Sequence, residues 1–344
     1  MGGNIWFLKV SMVLAWIKFL ICAGLIGVSG PALSRYGDII ARRTGLSRSW
    51  IGLLLLATAT SLPELFTGIS SVTVANAPNI ALGDALGSCV FNLLILVVFD
   101  LLYREEPVYG RMDQGHILTA GFGVIMIGFV GAAILLSFNG GNFTFYFIGL
   151  YTPILVITYL VAMRAAFFYE KRRPAVETTA DDNPDITLKK AIIGYLMAAA
   201  VIVGAGAALP FVGIEIADAM GWRRTFVGTL FIAAATSLPE LVVGISALRL
   251  RALDMATANL LGSNLFDVLI IAIDDIAYTK GPLLAAVSPA HAITAFAAVI
   301  MSGIVIVGLL YKPATRLHGT IGWVSLSLLV IYVFSSYMVY LQGG

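Results

Sequence analysis

Two stretches of this chain place a glutamate directly after a proline inside apolar sequence long enough to cross a bilayer. The first reads Ala57-Thr58-Ala59-Thr60-Ser61-Leu62-Pro63-Glu64-Leu65, the second Ala233-Ala234-Ala235-Thr236-Ser237-Leu238-Pro239-Glu240-Leu241. Carried on to Ser70 and Ser246, eleven of fourteen aligned positions are identical. A carboxylate at bilayer depth costs about 3 kcal/mol on insertion scales, so it is seldom there without a task. The proline removes a backbone donor and clashes with the preceding turn, leaving carbonyls free to bind something. Two such copies in one chain describe a cation site at the interface of two repeats.

A second polar segment follows each copy. The first runs Ala81-Leu82-Gly83-Asp84-Ala85-Leu86-Gly87-Ser88-Cys89-Val90-Phe91-Asn92, the second Ala256-Thr257-Ala258-Asn259-Leu260-Leu261-Gly262-Ser263-Asn264-Leu265-Phe266-Asp267. Gly87-Ser88 and Gly262-Ser263 are expected to open their helices, glycine for its freedom and serine as a small hydroxyl. Asn92 and Asp267 stand one turn further on, on the serine face. The donors able to converge are Glu64, Glu240 and Asp267, the Asn92 carbonyl, and the hydroxyls of Thr60, Ser61, Ser88, Thr236, Ser237 and Ser263, with loosened backbone carbonyls. Neither sulfur nor imidazole is among them. Such oxygens suit calcium or sodium and disfavour zinc or copper, and a mobile set fits calcium better than magnesium.

The elements that must position these groups are membrane helices. Of 344 residues 59% are hydrophobic and only 12% charged, and the mean hydropathy is +0.95, values of a polytopic membrane protein. Hydropathy and helix breakers predict ten transmembrane helices at about 11–34, 49–75, 79–102, 115–137, 143–168, 188–212, 224–248, 254–277, 284–311 and 320–341. The one sizeable hydrophilic insert, 169–188, divides the chain into a first five-helix repeat, 1–168, and a second, 189–344. Five is odd, so the halves are inverted: the fold class is an all-α polytopic membrane protein of two inverted five-helix repeats. The apolar run from Ser11 to Leu33 is too long for a signal-peptide core and its charge follows it, so it reads as a retained first helix.

Sixteen of the 21 lysines and arginines fall on the side that holds the 169–188 linker, which places that linker in the cytoplasm and both termini outside, in the cell membrane. The Glu64 helix then runs outward and the Glu240 helix inward. Lys18, within the first helix, is expected to snorkel toward the outer surface.

The paired Thr-Ser-Leu-Pro-Glu motifs, each followed by Gly-Ser-x-x-x-Asn/Asp, resemble the two alpha repeats of sodium/calcium exchangers in the cation/calcium antiporter superfamily, here over 57–95 and 233–270. The resemblance implies a secondary active antiporter, not an enzyme, that exchanges calcium for sodium by alternating access. It implies Glu64 and Glu240 as central ligands, with Thr60, Ser61, Ser88, Asn92, Thr236, Ser237, Ser263 and Asp267 completing the cation sites and the carbonyls of Ala57 and Ala233 as further sodium ligands. The implied partners are calcium, sodium and the lipid bilayer. No cofactor or nucleic acid is expected, and no feature assigns an oligomeric state. The short linker resembles prokaryotic members without regulatory domains. Two departures stand out: Gly83-Asp84 where the family usually has Gly-Asn, and Gly87-Ser88-Cys89 where it usually has Gly-Ser-Asn. Asp84 either adds a carboxylate or caps a broken helix.

Other polar groups have plainer readings. Cys22 and Cys89 lie in apolar segments and read as packing residues, without a disulfide framework. His116, His291 and His318, near segment ends, read as interfacial, as do Asp100, Asp274 and Asp275, though the last two could draw cations to an outer entrance. The acidic run Asp181-Asp182-Asn183-Pro184-Asp185 lacks the glycine turn and terminal glutamate of a calcium loop and reads as solvated linker. Gly24, Gly27 and Gly30, with Gly194, Gly204 and Gly206, would let the first and sixth helices slide closely. The rivals are a proton-driven cation antiporter of the same superfamily, whose members carry glutamate where this chain has Asn92 and Asp267, and, more distantly, a channel or intramembrane hydrolase. The charge asymmetry is directly testable. Cysteines introduced at Asn139 and Gly281 are expected to label with an impermeant maleimide from outside, and one at Val176 only after permeabilisation; the reverse pattern overturns the orientation.

Overall fold

A computed structural model describes the backbone of residues 2–103, 107–141, 143–172, 186–220, 232–317 and 320–342. Among them nine helices are long and apolar enough to cross a membrane, counting Arg48–Thr73 as one. The first half comprises α1 (Gly2–Thr44), the broken helix α2 (Arg48–Ile51), α3 (Ala57–Thr60) and α4 (Leu62–Thr73), then α5 (Pro78–Leu102), the short α6 (Val108–Arg111), α7 (His116–Phe138) and α8 (Tyr151–Lys171). The second half follows the same plan: α9 (Leu188–Met220), α10 (Ala233–Thr236), α11 (Leu238–Arg249), α12 (Leu253–Ala277), α13 (His291–Tyr311) and α14 (Trp323–Gln342). The helix expected at 224–248 is described from Ile232 onward, as α10 and α11, and supplies the tenth crossing in the position that α3 and α4 hold in the first half. The acidic run and most of the linker lie outside the described residues, as does His318.

Burial sorts the helices into two classes. The most apolar windows of α5 and α12 are 72% and 83% buried, whereas those of α1 and α8 are 11% and 22% buried. So α5 and α12 form the centre, against which the broken helices pack, and the outer helices turn apolar faces outward as a bilayer requires. Proline at the start of α5 sets its first turn, where a missing N–H costs nothing.

Each central helix is locked at its far end by a buried aspartate. Asp100 accepts from the backbone N–H of Val108 (3.2 Å) and Gly322 (2.9 Å), from Ser325 Oγ (2.8 Å) and from Arg316. Its repeat counterpart Asp275 accepts from Leu283 N (2.7 Å), Gly149 N (2.9 Å), Thr152 Oγ1 (2.5 Å) and the Tyr151 hydroxyl. The near ends are tied just as symmetrically. Asp254 Oδ1 receives Asp113 N (2.9 Å) and lies 3.1 Å from His116 Nε2, while Asn79 Oδ1 receives Ser288 N (2.7 Å) and lies 3.2 Å from His291 Nε2. Asp100, Asp275, His116 and His291, expected at a wet interface, are instead buried. Loops that re-enter the fold carry backbone donors needing acceptors, and these side chains supply them.

Other expectations are corrected. The fifth segment starts at Tyr151 rather than 143, because a short two-stranded hairpin, Thr144–Phe145 with Ile148–Gly149, precedes it. The ninth starts at His291, because Pro289 cuts it from a single 3-10 turn at Leu283–Ala285. The Gly-Ser pairs do not open α5 or α12, which are continuous. At Gly262 the missing side chain admits the Leu53 carbonyl, which a methyl group would meet at 2.6 Å. Lys18 does not end in water alone: its Nζ is 2.8 Å from the Glu215 carboxylate, tying α1 to α9. Of the six glycines proposed to let those two helices slide, Gly30 packs on Val242 and Gly206 on Pro63, beside the two glutamates, whereas Gly24, Gly27 and Gly204 meet nothing within 4 Å.

Removing a clamp orphans several buried donors at once, at about 1–3 kcal/mol each. Asp275→Ala is therefore expected to lower the unfolding temperature in detergent clearly more than Ser70→Ala, and Asp100→Ala to do the same. Unchanged melting in both clamp variants would refute the role.

Candidate functional site

The two proline-broken helices cross at the centre of the molecule. At Ser61 the backbone takes φ −90°, ψ 3°, and at Ser237 φ −81°, ψ 6°, leaving the helix for one residue before each proline starts a new one. Pro63 and Pro239 have no N–H to give the carbonyls of Ala59 and Ala235, and each glutamate falls in the first turn of the new helix. The first copy is also preceded by a π-helical turn, Gly52–Leu56, a feature common near functional sites.

All twelve expected site residues are buried. Ser61 Oγ donates to Glu240 Oε1 at 3.3 Å, and Ser263 Oγ to the same oxygen at 3.4 Å. Ser88 Oγ donates to Glu64 Oε1 at 3.4 Å and receives Ser237 Oγ at 3.2 Å. Asn92 and Asp267, equivalent in the two repeats, meet each other: Asn92 Nδ2 donates to Asp267 Oδ2 at 3.4 Å and to Asn264 Oδ1 at 3.1 Å. Thr60 Oγ1 lies 3.5 Å from Ser263 Oγ. Nine of the twelve thus fall in three hydrogen-bonded groups: Glu240 with Ser61, Ser263 and Thr60, Glu64 with Ser88 and Ser237, and Asn92 with Asp267. The carbonyls of Ala57 and Ala233 instead accept helical bonds from Ser61 N and Ser237 N, both at 3.0 Å.

Three further groups join. Asp84 lies within the unbroken α5, so it caps nothing; it accepts from Thr236 Oγ1 at 3.0 Å. Its counterpart Asn259 receives Thr60 Oγ1 at 3.4 Å. Cys89 Sγ lies 3.8 Å from the Asn264 carbonyl and 3.9 Å from Asp267 Oδ2, so it lines the cluster as well as packing. The signal for Asp84 and Asn259 was their identical place one turn before Ser88 and Ser263.

The electrostatics are uncompensated. Glu64 Oε2, Asp84 Oδ2, Glu240 Oε2, Asp267 Oδ1 and Asn92 Oδ1 are buried without a hydrogen-bond partner. Among the described residues no lysine or arginine pairs with these four acids, and Glu64 feels the charges of Glu240, Asp267 and Asp84. Nor, among the described residues, do three or more His, Cys, Asp or Glu side chains lie close enough together to hold a metal. A cation here must therefore draw on hydroxyls, the Asn92 carbonyl and backbone oxygens as well as carboxylates. That is the coordination habit of calcium and sodium rather than zinc.

The family model for sodium/calcium exchanger protein matches residues 14–168 and 190–341, covering both halves. The chain belongs to the sodium/calcium exchanger family. Relatives include the sodium/calcium exchanger MaX1 of Methanosarcina acetivorans, 27% identical over 267 residues, 67% of this chain and 74% of that one. The inner membrane protein YrbG of Escherichia coli is 24% identical over 267 residues, 76% of this chain and 78% of its own. Among solved structures, the sodium-calcium exchanger NCX_Mj soaked with sodium and calcium superposes with a TM-score of 0.69 at 21% identity, covering 94% of this chain and 97% of that one. That likeness concerns the fold: a multi-pass membrane protein of ten helices in two inverted halves.

The Thr236–Asp84 contact gives this site a testable asymmetry. Thr236→Val is expected to weaken calcium binding by the detergent-solubilised protein more than Thr60→Val, because the Thr236 hydroxyl donates to the Asp84 carboxylate at 3.0 Å whereas the Thr60 hydroxyl reaches the Asn259 amide oxygen at 3.4 Å. Equal effects in equilibrium calcium binding would show that the contact has no role.

Proposed function

We propose that this chain is a secondary active antiporter that exchanges calcium for sodium across the cell membrane by alternating access, with Glu64 and Glu240 as the central ligands. The observation that carries the reading is the set of buried carboxylate oxygens without partners, drawn from both repeats and collared by Ser61, Ser88, Ser237 and Ser263. Thr60, Thr236, Asn92 and Asp267 complete the donor set, and the Ala57 and Ala233 carbonyls, which the hydroxyls of Thr60 and Thr236 approach at 3.4 and 3.1 Å, serve sodium when those hydroxyls turn away.

Charge explains the coupling. Anionic carboxylates do not cross a low-dielectric barrier unaccompanied, so the loaded helices move when calcium or several sodium ions cancel the charge and stall when the site is empty. Obligatory exchange follows without any further device. In this reading the units are residues 1–168 and 189–344, joined by a cytoplasmic linker with both termini outside. The long helices α1 and α9 slide past the motifs on Gly30 and Gly206. Calcium uptake into proteoliposomes separates the drivers: a sodium gradient should support uptake, and a pH gradient alone should not.

Glu64→Gln and Glu240→Gln keep size and remove charge, so each is expected to abolish sodium-dependent calcium flux while leaving expression and elution profile intact. Substantial flux in either variant would place the charge elsewhere.

The match between Asn92 and Asp267 yields a second outcome. Four acids exceed the charge of one calcium ion, so part of the cluster carries protons when calcium is bound, and we assign one of them to Asp267. Asp267→Asn should then keep exchange across a pH series, while Asn92→Asp should depress it by at least about tenfold by adding an anion. Loss of flux at every pH in Asp267→Asn would make Asp267 an ionised ligand.

A further inference from the structure

Beyond the central cluster the two repeats diverge at one matched position. On α11, Gly244 packs against the ring of Phe99 from α5; on α4 the equivalent Gly68 packs against the carboxylate of Asp274 from α12. A methyl group at Gly68 would lie 2.6 Å from Asp274 Oδ1 and 2.8 Å from its carboxyl carbon, so only glycine admits this approach. Asp274 is fully buried, and neither of its oxygens has a hydrogen-bond partner. A structural aspartate would resemble its neighbour Asp275, which satisfies four donors. Asp274 satisfies none.

The facing helix changes in step. In the first repeat Glu64 is followed on one face, at helical spacing, by Thr67, Gly68 and Ser71, all buried. The same face of the second repeat reads Glu240, Val243, Gly244 and Ala247. One helix thus runs from its glutamate along hydroxyls to a carboxylate, and its mirror runs along apolar groups to a phenylalanine. Asp274 is also near enough to Asp84 to feel its charge, which links it electrostatically to the central cluster. A buried, unpartnered carboxylate packed on Gly68 of a helix that carries Thr67 and Ser71 to either side of that contact is the makings of a site for a hard cation.

We propose that Asp274, with Thr67 and Ser71 on the facing helix, forms a second cation-binding station between the outer end of the fold and the central glutamates, taking calcium or sodium on the way to or from them. The word "outer", and calcium and sodium as cargo, rest on the function proposed above. The station exists on one side only, since the mirror position is closed by Phe99.

The test removes the central site and looks for what remains. In detergent, the full-length double variant Glu64→Gln, Glu240→Gln is expected to retain weak, saturable binding of radioactive calcium, and adding Asp274→Asn to remove it. Asp274→Phe, which copies Phe99, should remove it too and covers the case in which the asparagine form fails to elute as a folded protein. In proteoliposomes, Asp274→Asn alone should raise the KM for calcium at the outer face by about tenfold and leave the inner-face KM within about twofold. Absence of residual binding in the double variant, or residual binding indifferent to Asp274, overturns the station. Failure of the function reading looks different: the unmodified chain would then show no sodium-driven flux, while the Asp274-dependent binding persisted.

Discussion

Four carboxyl groups buried among the membrane helices with unpaired oxygens and, among the described residues, no basic partner set the terms for everything else in this molecule. A folded protein seldom tolerates even one such group, because an unsatisfied buried charge is among the most costly defects available. Here the cost is retained, and in the function proposed above an incoming cation relieves it. The serine hydroxyls donate to one oxygen of each glutamate and leave the other open. The prolines start a fresh helix just before each glutamate, which gives each carboxylate the favourable end of a helix dipole without a full positive charge that would compete with the cation.

Such a site works only if its frame does not collapse around it. The repeat-related clamps at Asp100 and Asp275, and the His116–Asp254 and His291–Asn79 contacts, fix both ends of α5 and α12 to loops of the opposite half. The helices that carry Ser88, Asn92, Ser263 and Asp267 are thereby held by polar bonds with defined partners. By contrast α1 and α9 meet the motifs through close apolar approaches at Gly30 and Gly206, beside one hydrogen bond from Ser34 Oγ to the Val243 carbonyl at 2.8 Å and one from the Tyr195 hydroxyl to the Leu55 carbonyl at 2.6 Å. Motion is cheapest where polar ties are few, so in the function proposed above the sliding falls to α1 and α9 and the stationary frame to α5 and α12.

The fold and most of the cluster were legible because each rests on a repeated local signal. Proline before glutamate forces the break at Ser61 and Ser237 whatever surrounds it, and one helical turn puts Asn92 on the face of Ser88. What stayed hidden was tertiary. Asp100, Asp275, His116 and His291 read as interfacial because hydropathy measures distance along the chain, not the loop that folds back over a helix end. The unbroken course of α5 and α12 was missed because glycine there serves close approach rather than opening, and only the neighbouring backbone at Leu53 reveals which. Asp84 read ambiguously because a cap and a ligand use the same residue type; the continuity of α5 decides against the cap.

Inverted repeats make the two faces of a transporter alike by construction, so whatever distinguishes inside from outside must be written in the residues that break the symmetry. The breaks follow a pattern. The first repeat contributes Glu64 and Asp84 and the second Glu240 and Asp267, so each half brings two acids to the cluster. The second acid, however, stands before the conserved-spacing serine in one half and after it in the other, with Asn259 and Asn92 in the complementary places. Total charge is balanced while its position is exchanged. Thr236 meets a carboxylate where Thr60 meets an amide, and the Asn92–Asp267 contact unites an amide and an acid where two acids would repel. The asymmetry therefore moves charge off the repeat axis without altering how much of it a cation must cancel, and the same neutralisation rule can operate while the two mouths differ.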